Sequence, residues 1–246
     1  MELQKLLDES PSSKDPTWEE AQRIVVSQLL IPSPLLNLVR NSWSGVLAPD
    51  AFIRMSGFTG LNPSCLLDAA ELPNDGSTPR SQDLLRAVQT LGIRFSAVVL
   101  AVNVTVRCVL KSKPGSGWKD LLVKLANDME IGYKLGVRVG DIGLEGGLLL
   151  GFSNYAGVGL LSSAKKEEFK TWKRDLAKFG KLGRKKEIEI FGCEPYQVSA
   201  LTLQHLGFGT DLAFGVALAL GGLNPKHISV DPSIMRWRAG LEWLAA

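Results

Sequence analysis

Residues 146–161 read GGLLLGFSNYAGVGLL, sixteen residues with five glycines and no charge. A run this apolar and this rich in a poor helix former leaves few ways to be folded. It can cradle a phosphate, cross a membrane, or let two helices approach closely. A phosphate cradle frees backbone N–H groups at the start of a helix and adds a Lys or an acidic ribose partner at a set distance. Here Gly157-x-Gly159 follows a helix-like segment and leads to no Gly-Lys-Ser/Thr. A membrane span asks for about 18 or more unbroken apolar residues. Ser153, Asn154 and the internal glycines interrupt this run, and Asn103 and Arg107 interrupt the other candidate, FSAVVLAVNVTVRCVL. The run therefore reads as a helix whose glycines admit close packing, and no membrane association is expected.

The flanking sequence is helical too. Asp15 is placed as N-cap, Pro16 at the first helical position and Glu19 and Glu20 in the first turn of a helix that Ile31-Pro32-Ser33-Pro34 stops. Ser33 is placed to cap the next helix, which ends at Gly45. Residues 46–82 carry four prolines and several turn-forming pairs, and predict short helices joined by loops. SQDLLRAVQTLG sets Leu84, Leu85, Val88 and Leu91 on one face before Gly92, and the stretch from Ile93 to Leu110 is apolar on nearly every side. After the turn Lys113–Gly117, WKDLLVKLANDMEIGYKLG again has helical spacing. Residues 165–186 predict one amphipathic helix with Phe169, Trp172, Leu176 and Phe179 along its inner side. Three more helices follow, in EPYQVSALTLQHLG, TDLAFGVALALGG and DPSIMRWRAGLEWLAA. Val98–Leu100 and Val102–Val106 are β-branched enough for strands, the basis of a rival α/β fold, but lack period-2 alternation. The expected fold is all-α.

Candidate chemistry is sparse. The net charge of +3 over 246 residues does not by itself call for a polyanionic partner. Cys65, Cys108 and Cys193 form no Cys-x-x-Cys pair and are expected as buried thiols in a reducing compartment. The polar, acidic N-terminus lacks the form of a signal peptide, which places the chain in the cytoplasm. Of the two histidines, His205 falls in the last turn of a helix and His227 in a Pro-Lys-His loop, and neither has an acidic ligand pair beside it. Cys193 follows Gly192 just ahead of a helix, where a thiol pKa can fall, yet no base accompanies it.

Taken in order, several segments resemble the HD-related output domain (HDOD), a helical module of bacterial signalling proteins. LLNLVRNSWSG is similar to the family's early helix, with Asn41 and Ser42 in the Asn-Ser positions. LLRAVQTLGIRFSAVVLAVNV is similar to its Ala-Leu-Gly signature through Ala87, Leu91 and Gly92. WKDLLVKLA, EGGLLLGFSNYAGVGLL and EIEIFGCEPYQVSALTLQHLGF resemble three later motifs. The resemblance covers about residues 16–222. It implies an N-terminal helical subdomain over 1–112 packed on a C-terminal HD-like bundle over 113–246.

Where HD-type hydrolases carry the metal-binding His-Asp pair, this chain has Leu150 and Gly151; where they carry a later His it has Pro195, and at the first ligand His, beside Trp118, it has Asp120. The resemblance thus implies a degenerate site with no metal or cofactor, and a non-enzymatic regulatory role through another signalling protein or a small signal molecule. Residues 46–80 are longer than the family's usual link, and the late histidines are missing. The alternatives are a surviving metal-dependent phosphohydrolase, or a nucleic-acid-binding regulator that uses the basic helix. That helix has ten Lys or Arg against three acids over 165–186, and Lys166, Lys170, Lys173, Arg174 and Lys178 are its candidate partner-binding residues, with Phe169, Trp172 and Phe179 buried behind them.

Overall fold

The computed structural model describes residues 15–59, 62–115, 117–223 and 231–244. Among them are thirteen α-helices and no strand, so the protein is all-α. The helices are α1 (Pro16–Gln28), α2 (Ser33–Trp43), α3 (Pro49–Gly57), α4 (Cys65–Ala69), α5 (Ser81–Leu91), α6 (Ile93–Lys111), α7 (Trp118–Arg138), α8 (Gly143–Ala164), α9 (Lys166–Phe179), α10 (Arg184–Phe191), α11 (Pro195–Leu206), α12 (Thr210–Leu220) and α13 (Pro232–Leu244).

The chain forms two compact units. The smaller takes in Leu30–Arg107 and His205–Phe208. Its core holds Leu35, Leu38 and Val39 of α2, Phe52 of α3, Leu66 and Leu67 of α4, and Leu84, Ala87 and Val88 of α5. Trp43 meets Phe208 edge to face, with ring centroids 5.3 Å apart, which holds the short 205–208 stretch against α2. The expected cap at Ser33 is corrected: α2 starts at Ser33 itself behind Pro32, and no side chain caps it. Asn103 and Arg107 do not interrupt α6, which over its 19 residues is one helix among the described residues long and apolar enough to cross a bilayer. Its Ala97, Val98, Leu100, Ala101 and Val104 are buried within the protein.

The larger unit takes in residues up to Leu29, Cys108–Gln204 and those from Gly209 on. Thus α1 belongs with the C-terminal helices rather than with the N-terminal subdomain in which the sequence reading grouped it. Asp15 caps α1 as expected, its Oδ1 accepting from the Thr17 amide at 2.9 Å. The helix is then tied down at three points: Gln197 Nε2 donates to Thr17 Oγ1 at 2.8 Å, Lys165 pairs with Glu20 at 2.7 Å, and Ser163 Oγ donates to Gln28 Oε1 at 3.0 Å.

At the centre of this unit lies α8, with 17 of its 22 residues buried. A helix with no solvent face needs no polar stripe, which is why its sequence carries no amphipathic period. Its neighbours come close because the contact is made of backbone. Gly132 and Gly136 of α7 oppose Gly147 and Gly143, so a Cβ on Gly132 would stand under 3.0 Å from the Gly147 carbonyl, and one on Gly147 under 3.0 Å from the Gly132 carbonyl. On other sides, Gly146 admits the Trp237 ring of α13, and Gly157 rests on Pro195 and Ser199 of α11. The buried hydroxyls of Ser153 and Ser162 each donate to the carbonyl three residues back, and the one Ser163 proton is shared between the Leu160 carbonyl and Gln28 Oε1, so polar atoms enter this helix without being left unpaired.

The expected single helix over 165–186 is two, α9 and α10. Gly180 takes φ 72°, a left-handed stop, and Gly183 opens the next helix with extended backbone. The consequence reaches Phe179. Phe169 is fully buried and stacks on Trp172 at 5.6 Å, but Phe179 is 62% exposed, correcting its expected burial.

Candidate functional site

The four positions expected from the resemblance to mark a degenerate HD site lie apart. Asp120 is in the first turn of α7, its side chain 77% exposed and paired with Lys173 at 3.1 Å. Gly151 packs against the backbone of Asp128 and Met129, eight residues further along α7, or about 12 Å along its axis. Leu150 is 1% exposed and faces Gly240 of α13. Pro195 presents its carbonyl to Gly157, six residues or about 9 Å along α8 from Gly151.

Packing at Gly151 is decisive for what this position can hold. A Cβ there would sit 2.6 Å from the Met129 Cα and the Asp128 carbonyl carbon. No side chain of any kind, and so no metal ligand, can be placed there without prising α7 from α8. Among the described residues no group of three or more His, Cys, Asp and Glu is disposed to hold a metal ion. His205 lies in the last turn of α11 as expected, while His227 lies outside the described residues.

A polar cluster that sequence reasoning missed sits where α10 leads into α11. Arg184 donates through Nε to Glu194 at 2.7 Å and through a terminal nitrogen to the Tyr196 hydroxyl at 3.1 Å. Glu194 is 5% exposed, so the guanidinium supplies the charge a buried carboxylate requires, and the Glu194 hydrogen bond in turn raises the Arg184 pKa. Beside it, Glu187 accepts from Trp172 Nε1 at 3.3 Å, and burial holds its pKa above the ordinary glutamate value. Burial also pushes the Cys193 thiol and the Tyr196 phenol up to about 12 each. Both stay protonated at neutral pH, so the cluster offers neither a thiolate nor a phenolate nucleophile. Its geometry is that of a structural clasp. The one advance signal was the pair of acids, Glu187 and Glu194, seven residues apart around a cysteine.

Cys193 is buried as expected, whereas Cys65 and Cys108 are half-buried. Cys65, too, is pushed up by burial, to about 11.

The basic positions divide. Lys166, Lys170, Arg174 and Lys178 are exposed, while Lys173 turns toward Asp120 on α7 with its side chain 37% exposed. Lys170 has an acid partner in Glu167 at 2.7 Å and Arg174 in Asp175 at 3.2 Å. Lys178 lies over the Phe179 ring at 5.1 Å. Between α9 and α10 runs a shallow open groove lined by Glu167, Glu168, Thr171, Lys186, Glu189 and Ile190.

No protein-family model matches the chain, and no curated protein or solved structure matches it.

Proposed function

We propose that the chain is a non-catalytic regulatory module of HDOD type, acting in the cytoplasm by binding another signalling protein or a small signal molecule. The observation that carries this reading is the backbone contact at Gly151. In an HD hydrolase the corresponding pair must present ligands to metal-activated water. Here the place is filled by a helix–helix contact with no room for a side chain, and Leu150 beside it is an apolar core residue. A helix pair locked in this way is a rigid support for surface recognition rather than a reaction chamber.

The test is hydrolysis of bis(p-nitrophenyl) phosphate by the full-length chain with added Mn²⁺ or Mg²⁺. The module reading expects release no faster than in buffer with metal alone. Metal-dependent release that a chelator abolishes would establish the phosphohydrolase instead.

A further inference from the structure

On α9 the exposed cations Lys166, Lys170, Arg174 and Lys178 recur at every fourth residue. Successive members of this stripe are about 6 Å apart along the helix axis, and its ends about 18 Å apart. We propose that the stripe docks an acidic polypeptide segment of a partner protein. This deepens the binding role proposed above and rests on it.

Spacing and local charge both favour carboxylates. On an extended chain the side chains of one face recur at about 6.8 Å, close to the step of the stripe. The stripe already receives carboxylates, Glu167 on Lys170 and Asp175 on Arg174. Exposed pairs of this kind are weak, so a partner's carboxylates can take their place. Duplex nucleic acid carries a charge about every 1.7 Å of its axis with both strands counted, a denser array than a stripe of four cations can pair. Glu167 stands within the stripe, Glu168 and Asp175 border it, and the groove beyond adds Glu189 against Lys186. At the C-terminal end the exposed ring of Phe179, next to Lys178, adds an apolar anchor. Phe and Arg are both enriched at protein interfaces. The partner segment should therefore pair its acids with an apolar residue at one end.

The experiment titrates the full-length chain into fluorescently labelled poly-L-glutamate of about 20 residues at low ionic strength, where charge pairing is least screened. Single- and double-stranded DNA of matched length are run beside it. Poly-glutamate should bind more tightly than either DNA. The triple variant Lys166→Glu, Lys170→Glu, Arg174→Glu should lose at least about tenfold in affinity. Arg54→Glu, Arg80→Glu, Arg86→Glu, with the same change in charge at exposed sites of the other unit, should alter it by less than about twofold. If the first variant fails to fold by circular dichroism, the corresponding glutamine triple replaces it with the same expectation. Absence of poly-glutamate binding, equal loss in both triples, or tighter binding of DNA overturns the proposal. None of these results touches the hydrolysis test, so a failed docking surface and a failed module reading are told apart.

Discussion

Glycine acts in two opposite ways in this chain, and single substitutions separate them. At Gly147 the missing side chain is a packing requirement, because a Cβ would press on the Gly132 carbonyl and on the Gly136 amide. Backbone cannot move aside as a side chain can, so Gly147→Ala should cost at least the 1–3 kcal/mol typical of overpacked cores, on the order of 3 kcal/mol here. At Gly57 in α3 a Cβ meets nothing within 4 Å and the backbone is helical. There Gly57→Ala should stabilise by about 0.4–1 kcal/mol, by reducing the freedom of the unfolded chain. Urea denaturation of the two variants beside the parent checks both signs; destabilisation of equal size at the two sites would remove the distinction. The glycine run of α8 was legible as a packing device because its sequence lacks the partners a phosphate or membrane role needs. Which glycines it meets was not. Gly132 and Gly136 repeat at four residues, as do Gly143, Gly147 and Gly151, but a repeat in one helix does not say which face of another will oppose it.

At the scale of elements, helix starts that rest on local chemistry could be read directly. Asp15 and Pro16 act within their own turn, and α1 begins where they put it. The break between α9 and α10 could not, because Phe169, Trp172, Leu176 and Phe179 keep helical spacing up to the end of α9, and one glycine within such a pattern is tolerated as often as it terminates. The two helices are joined again through side chains, Trp172 meeting Phe191 at 6.1 Å and donating to Glu187. Glu187 makes this junction sensitive to pH. Its folded pKa is raised, chiefly by burial and further by Glu194, above the ordinary 4.5, so the folded state favours the protonated carboxyl. The stability it contributes is fully present below pH 4.5 and is lost as pH rises through the raised folded value. Glu187→Gln keeps an acceptor for Trp172 without the charge. It should melt higher than the parent at pH 7 and at the same temperature below pH 4.5. A variant that melts lower at pH 7 would show that the charge, and not its burial, dominates at this site.

For the molecule as a whole, two helices in backbone contact occupy the place that the proposed HDOD-type reading assigns to metal ligands. Asp120, Leu150, Gly151 and Pro195 were identified from motif order, and their order in the chain carried no information on whether they converge. In the structure Asp120 is on the surface with Lys173, Gly151 is against Asp128 and Met129, and Pro195 is against Gly157. On the outer surface the cations of α9 stand out from a chain of small net charge, and the proposed binding role is assigned to them. The most direct measurement is the metal content of the purified full-length chain, after exposure to excess Mn²⁺, Fe²⁺ and Zn²⁺ and exhaustive dialysis, by inductively coupled plasma mass spectrometry. Less than about 0.1 equivalent of each metal should remain. Retention of about one equivalent of a transition metal, as an HD-type hydrolytic centre requires, would contradict it.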